Sequence, residues 1–376
     1  MITLESVVLS LIVIITIFYI KNIIGYTYGW KKLDESKNEE RSNTVHSFSI
    51  IIAFRNESEN LDNLLHDLLI IDFPKHLFEI ILVDDESTDK SKQIVTNFIG
   101  NRKLNWKLLS SKGGKKSALK TAIIAAKNDY IFSTDADCRI PKNILYSYDN
   151  QLQTENKKLI AGPVIFKNRN SLFGNLVDLE FMSLIVSGAG AISINKPIMI
   201  NAANMVFQRE IAIENIDNIY NSSIQSGDDI FLMQHIIDKY GVDEISFLKN
   251  KNVIIETDSP KTLRAWISQR LRWASKAKHY NINYTSRSAL VVLLFNITML
   301  ISFFLLISSS YWYIFPSLYI LKLIADMPIL LSASKFFNKS FSFSVFVFLE
   351  FIYPFYIVGI GVLGLFIKNT WKGRRI

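Results

Sequence analysis

One cysteine, Cys138, stands in a chain of 376 residues, so no internal disulfide can form and no cysteine-based zinc site exists. A lone thiol fits a reducing compartment. No segment repeats itself. No basic stripe with interleaved aromatics lies outside one short helix beside the C-terminal apolar region, which argues against nucleic acid as a partner. A Walker A loop is missing as well: Lys112-Gly-Gly-Lys-Lys-Ser117 comes nearest, but Leu109 stands where that motif needs glycine.

What the chain does hold is apolar and basic. Hydrophobic residues make up 49% of it and the formal net charge is +8, with a mean hydropathy of +0.20. Such charge suits anionic lipid surfaces and phosphate-bearing ligands. The apolar excess sits at the two ends. Leu4–Ile24 is long enough for the ~20-residue helix that crosses a bilayer. Lys21 stands near the end of this run and Lys31 and Lys32 follow it, none preceding it, and no small-residue cleavage site comes after. It therefore reads as a retained anchor and not a signal peptide. Lysines on that side place the middle of the chain in the cytosol.

Three further apolar stretches, Ala289–Ile307, Tyr311–Leu331 and Val345–Ile367, occupy the C-terminal third. Arg272, Lys276, Lys278 and Arg287 precede them, again on the cytosolic side. Three full crossings would leave Lys368, Lys372, Arg374 and Arg375 on the opposite side, against that rule. The middle stretch contains Lys322, Asp326 and Pro328 and is expected to be broken, re-entrant or interfacial; Glu350 interrupts the last. Lys322 and Asp326 stand one turn apart and can neutralise each other. The expected organisation is an anchor over 1–25, a cytosolic α/β domain over 45–285, and transmembrane or interfacial helices over 288–368, with Leu33–Thr44 as a charged linker.

Between the ends, strand, turn and helix alternate. Phe48–Phe54 and Phe78–Val83 are short, β-branched apolar runs of the buried-strand type, and Tyr130–Thr134 is a third. Leu61, Leu64, Leu65, Leu68 and Leu69 mark an amphipathic helix after the first strand. A second helix begins near Asp89 or Ser87 as cap, and a third spans Lys116–Ala126. This pattern predicts parallel strands with crossover helices, in which ligands collect beyond the carboxyl ends of the strands.

Polar clusters stand at those strand ends. Asp84-Asp85 closes the second strand, where carboxylates can hold a ribose or base edge or cap a helix. Lys112–Ser117 opens a helix with two glycines, as phosphate-binding loops do. Asp135-Ala-Asp137 follows the third strand, and two carboxylates so placed can share a Mg²⁺ or Mn²⁺ with a diphosphate, or make a polar turn. Gly227-Asp-Asp229 opens a later helix, where an acid serves as general base or as N-cap. Gln269-Arg-Leu-Arg-Trp273 puts a glutamine, an arginine and a tryptophan close on one helical face, fit for a diphosphate and a sugar ring or for a membrane interface.

In this order the motifs resemble the large family 2 of inverting glycosyltransferases, over roughly Phe48 to Trp273. Ser49–Glu57 is similar to the family's first strand, Glu79–Asp89 to its nucleotide-binding strand, and Asn201–Phe207 to the stretch lining the acceptor side. The resemblance implies a GT-A fold, a Rossmann-like mixed sheet for nucleotide-diphospho-sugars, with N- and C-terminal transmembrane helices. It implies donor contacts from Ala53, Arg55, Glu57, Asp85, Lys115, Asp135 and Arg272, with Asp85 at the base. Asp135 and Asp137 would hold Mg²⁺ or Mn²⁺, while Asn204, Gln269 and Trp273 would face the acceptor. The family's Glu-Asp pair is Asp228-Asp229 in this chain, its last member being the base. The Gln-x-x-Arg-Trp motif is shared by membrane-bound chitin, cellulose and hyaluronan synthases and, in a close version, by ceramide glucosyltransferases.

The expectation is thus a multi-pass enzyme of the cell (inner or plasma) membrane, its catalytic domain cytosolic. It passes a sugar from a nucleotide-sugar, UDP-linked before others, to a membrane lipid, a lipid-linked acceptor or a polysaccharide. Few spans for a wide secretion channel tilt the balance toward lipid, against a processive synthase. A silent membrane assembly module is the rival from another class, and the intramembrane charges raise a transporter as a second.

Overall fold

The computed structural model describes residues 4–36, 43–100, 102, 104–167, 171–221, 227–275, 284–306, 310–366, 370–371 and 374–375. In chain order the elements begin with α1 (Leu4–Lys32), β1 (Phe48–Phe54), α2 (Leu61–Leu69), β2 (Phe78–Asp84), α3 (Ser91–Gly100), β3 (Trp106–Ser110), α4 (Lys115–Ala125), β4 (Tyr130–Ser133) and α5 (Ile144–Glu155). There follow β5 (Leu159–Ala161), β6 (Val164–Phe166), α6 (Leu172–Ser193), β7 (Met205–Gln208), α7 (Arg209–Glu214), α8 (Ile216–Ile219), α9 (Asp228–Tyr240), β8 (Ile245–Phe247) and β9 (Ile255–Thr257). Last come α10 (Leu263–Ala274), α11 (Tyr284–Leu305), α12 (Ile314–Phe336) and α13 (Phe343–Phe366). Contacts divide the chain into two compact units: Leu33–Lys167 with Met199–Asp258 and Thr370–Ile376, and Met1–Lys32 with Asn168–Ile198 and Ser259–Asn369.

The first unit is built on a sheet of order β3-β2-β1-β4-β7-β5-β8. All neighbours run parallel except at β7, which is antiparallel to β4 and β5. The expected strands β1, β2 and β4 lie side by side in it, and the helices between them make the crossovers. Their sequences are mostly apolar because both faces are covered: Ile50, Ile52, Ile80, Leu82, Ile131 and Phe132 have no exposed surface. A polar clamp ties the far end of the same strands. Glu79, buried on β2, accepts hydrogen bonds from Ser49 Oγ, Lys107 Nζ and the Lys127 amide. Burial opposes its charge, yet these bonds hold its carboxyl below the usual glutamate range.

The second unit holds α1, α6 and α10–α13, and five of its helices are long and apolar enough to cross a membrane. One of them was not expected. Leu172–Ser193 falls within the anticipated 45–285 domain, but the contacts group it with the apolar helices. Asp178 and Glu180 interrupt its apolar run; in the fold both are buried and ion-paired, Asp178 with Lys339 and Glu180 with Arg270. Where α6 meets α1 the backbones almost touch. A Cβ on Gly29 would lie 2.0 Å from the Gly190 carbonyl oxygen, and one on Gly190 would lie 2.0 Å from that of Tyr26. Only hydrogen fits there, as at other close helix crossings in membranes.

The middle C-terminal stretch is one unbroken helix, α12, with Pro328 inside it. Its charges are enclosed by neighbours. Lys322 Nζ donates to Asp326 at 2.5 Å and also to Glu350 on α13, while Tyr19 on α1 donates to Asp326 at 2.8 Å. The pair expected one turn apart is therefore part of a four-residue network that joins three helices. Outward-facing Leu11, Val13, Ile17 and Phe18 on α1 are exposed, as lipid contact requires. Lys276, Lys278, Lys368 and Lys372 lie outside the described residues, whereas Arg374 and Arg375 pair antiparallel with Trp371 and Thr370.

Candidate active site

Register brings the expected residues together. Phe54 at the end of β1 pairs with Asp84 at the end of β2, and Ile51 pairs with Ser133 at the end of β4. The loops after the three strands therefore leave the sheet next to one another. Arg55 crosses from the first loop to the second, donating from Nη1 to the carbonyls of Asp85 (2.6 Å) and Glu86 (2.9 Å). Asn56 and Glu86 both take left-handed backbone, at φ 51°. For residues with a Cβ that conformation is held only by surrounding contacts, and it gathers at functional loops. Asn56 Oδ1 accepts the Thr88 amide at 2.8 Å, closing the second loop over the first.

Asp85, buried, accepts a hydrogen bond from the Gly114 amide at 3.0 Å. Gly113 and Gly114 have φ of 111° and 95°, so the chain can turn into α4 with its first amide aimed at that carboxylate. The same turn delivers Lys115, whose Nζ donates to Asp135 Oδ1 at 2.5 Å. Burial by itself would lower the ammonium's pKa, but the charges of Asp135, Asp228 and Asp229 outweigh it and raise the pKa above the ordinary lysine value. Lys115 thus stands among three carboxylates drawn from two different segments.

Those carboxylates are in different states. Asp228 is buried, and its Oδ2 has no hydrogen-bond partner among the described residues. Asp229 is half-buried, with Oδ1 accepting the amide of Ile230 at 2.8 Å. Asp137 is half-buried beside Cys138, whose thiol is pushed up by burial and by the charges of Asp137 and Asp135, which leaves it inert as a nucleophile. Ala53 and Glu57 border the first loop; Glu57 accepts from Asn60 Nδ2, and its own amide donates to Ser91 Oγ.

Asn204, expected to face the acceptor, has no exposed surface. Its Oδ1 accepts from Tyr148 Oη at 2.7 Å, and its Nδ2 donates to the carbonyls of Pro163 and Val253, both at 2.8 Å. A carboxamide held on both ends in this way ties loops of the sheet together. Gln269, Arg272 and Trp273 lie in the other unit, on α10. Sequence reasoning passed over Arg270, the buried arginine within that motif, and its partner Glu180. It also missed Tyr220, whose phenol is kept protonated by burial and by the nearby charges of Asp228 and Asp229, and Lys116, whose Nζ lies 4.6 Å from the ring centroid of Phe231. Arg270 and Lys116 occupy variable positions of their motifs and Tyr220 and Glu180 lie outside any; each was found through its three-dimensional neighbours.

The acidic set suits a hard divalent cation, since every donor is a carboxylate. The orphaned Oδ2 of Asp228 and the excess of acid over Lys115 leave negative charge for a cation to meet. No group of three or more metal-type side chains is gathered among the described residues, so the protein offers a partial shell that ligand oxygens would complete.

Comparison with known proteins gives the class of the chain, a glycosyltransferase. Residues 49–216 match the model of glycosyl transferase family 2. A poly-beta-1,6-N-acetyl-D-glucosamine synthase of Staphylococcus epidermidis is 23% identical over 343 residues, covering 88% of this chain and 77% of that protein. The synthase of the same name from Staphylococcus aureus is 27% identical over 169 residues, covering 45% of this chain and 39% of the relative. A mannosyltransferase of Pyrobaculum calidifontis, solved with GDP-Man and Mn²⁺, superposes with a TM-score of 0.63 at 15% identity, covering 95% of this chain and 98% of that one. This last likeness establishes the GT-A fold.

Proposed function

We propose that the chain is an inverting, membrane-bound transferase that passes N-acetylglucosamine from UDP to a growing β-linked glycan on the cytosolic face of a cell membrane. The observation that carries this reading is Lys115 held among Asp135, Asp228 and Asp229, beside the Asp85–Gly114 contact. The names of the staphylococcal relatives support the sugar and favour polymer over the lipid acceptor that the small number of spans first suggested.

In this reading Asp85 and the loop braced by Arg55 receive the base and ribose, with Ala53 and Glu57 on the same wall. Lys115 faces the diphosphate and exchanges its bond to Asp135 for phosphate oxygens. Asp135 and Asp137 would hold Mg²⁺ or Mn²⁺, which when bound offsets charge on the departing diphosphate. Asp229, the more accessible of its pair, takes the proton of the acceptor hydroxyl. The acceptor oxygen then bonds to the anomeric carbon from the face opposite the diphosphate. The carbon–oxygen bond to UDP breaks and its electron pair leaves with UDP, so configuration inverts. Gln269 and Trp273 are assigned to the acceptor and Arg272 to the diphosphate.

The test is UDP release by the full chain in lipid nanodiscs, given UDP-GlcNAc with Mn²⁺ or Mg²⁺, and GDP-Man in parallel. Release from UDP-GlcNAc that is abolished by chelation and in Asp137→Ala, with a product of many sugars, is expected. Turnover of GDP-Man alone, or metal-independent release, overturns the assignment.

A further inference from the structure

Between Gln269 and Trp273, the two motif residues assigned to the acceptor, stands an arginine that the motif does not specify. Arg270 is 4% exposed and its partner Glu180, on α6, is 2% exposed. The guanidinium grips both carboxylate oxygens: Nε donates to Oε1 at 3.0 Å and Nη2 donates to Oε2. A two-bonded fork of this kind fixes the plane of the guanidinium as well as its position. That plane has further uses. Nη1 donates to Gln269 Oε1 at 3.0 Å, and the guanidinium carbon lies 4.1 Å from the ring centroid of Trp273. Glu180 is itself held from another side, by Tyr356 Oη at 3.3 Å, and Tyr356 stacks on Trp266 with centroids 4.4 Å apart and planes 8° from parallel.

We propose that Arg270, fixed by Glu180, is a positioning residue that sets Gln269 and Trp273 for the glycan acceptor; this rests on the acceptor role assigned to α10 above. The chemistry follows from which atoms are used. With Gln269 Oε1 engaged, its NH₂ end is what remains for a ligand, so it meets a hydroxyl oxygen as donor. The cation over the Trp273 indole, with the Phe181 ring 6.4 Å away, fixes the orientation in which the indole would meet a sugar. A buried ion pair with only an assembly role has no need to reach either side chain.

The experiment compares wild type with R270K, R270M, R270E, E180Q and the exchange E180R/R270E, all as full chains in nanodiscs. It reads melting temperature, UDP release from UDP-GlcNAc, and the emission that each loses when W273F is added. R270K keeps the charge but cannot make the fork and the Gln269 bond together. We expect turnover or acceptor KM to worsen on the order of tenfold or more in R270K and E180Q, with donor KM within about twofold. In E180R/R270E the melting temperature lost in R270E should recover while turnover does not, because the ion pair returns without a donor to Gln269 Oε1. Recovery of both, or wild-type turnover in R270M, reduces the pair to structural glue and overturns the proposal. If wild type releases UDP from no donor, the functional reading fails on its own. Positioning is then judged by the Trp273 emission, which must shift in R270M and E180Q and refutes the proposal if it does not.

Discussion

Charge is handled in opposite ways by the strand-end site and by the apolar helices. Asp135, just after β4, and Asp228 and Asp229, at the start of α9, act together on Lys115, and Asp228 Oδ2, buried, has no hydrogen-bond partner among the described residues. Among the apolar helices each buried charge in the described residues has an opposite charge against it: Asp178 with Lys339, Glu180 with Arg270, and Lys322 with Asp326 and Glu350. Unbalanced charge costs stability and is kept where a ligand is to complete it; balanced charge joins helices where no water can solvate it. The comparison separates chemistry from assembly within one chain. It also accounts for the intramembrane charges without a transport path, since they close on one another.

The comparison can be broken at several points. The largest effect is expected for Asp229→Asn, which should lower UDP release by about 10²–10⁴-fold, the usual span for losing a general base, with donor KM little changed. Unaltered turnover would take Asp229 out of that role. Lys322→Met should rank next. It leaves Asp326 and Glu350 buried without their cation, a loss of about 3–5 kcal/mol, and K322M/D326N/E350Q should recover most of it in a denaturation series. The matching change at the site, Asp228→Asn, should leave the melting temperature unchanged or higher while activity falls. If Asp228→Asn destabilises the chain as Lys322→Met does, the contrast between the two regions collapses.

Smaller effects test the packing and the loops. Gly190→Val forces a side chain against the Tyr26 carbonyl and should cost about 1–3 kcal/mol or more, seen as lower thermal stability in detergent; an unchanged melting temperature would mean the two backbones separate freely. The least effect is expected at Asp89. Burial opposes its charge, but hydrogen bonds from Ser91 and Ser58 hold its carboxyl at about 2, against an ordinary 3.8. A depressed acid lends stability above the unfolded value and loses it as pH falls through the folded one. The melting-temperature gap between wild type and Asp89→Ala should therefore close between pH 3.8 and about pH 2. A gap that persists at the lower pH would assign the effect to packing.

The strands that carry the site were legible as apolar runs, because a parallel strand covered on both faces must be apolar throughout. Phe48–Phe54 was read with its observed ends, and Phe78–Val83 was one residue short of β2. Short strands such as Leu159–Ala161 and Ile245–Phe247 left no such trace, since three residues show no period. Of the two caps considered for α3, Asp89 accepts the Ser91 amide, while Ser87 Oγ accepts the amide of Asn56. The burial of Asn204 was not legible, because a polar residue in a motif looks the same in sequence whether it is exposed or bonded to buried loops. The α6 helix was missed because Asp178 and Glu180 resemble solvent-facing acids until their partners, 161 and 90 residues away, are seen.

By itself the sequence determined the periodic features: the apolar helices at both ends, the strand–helix alternation, and the order of the acidic and glycine-rich turns. These are local, written in neighbouring side chains and the geometry of the backbone. The tertiary structure alone decided which carboxylates share Lys115, that Asn204 is buried, that Gly29 meets Gly190, and that Arg270 pairs with Glu180. Each of these depends on residues far apart in the chain being brought within bonding distance, and no local pattern encodes that distance.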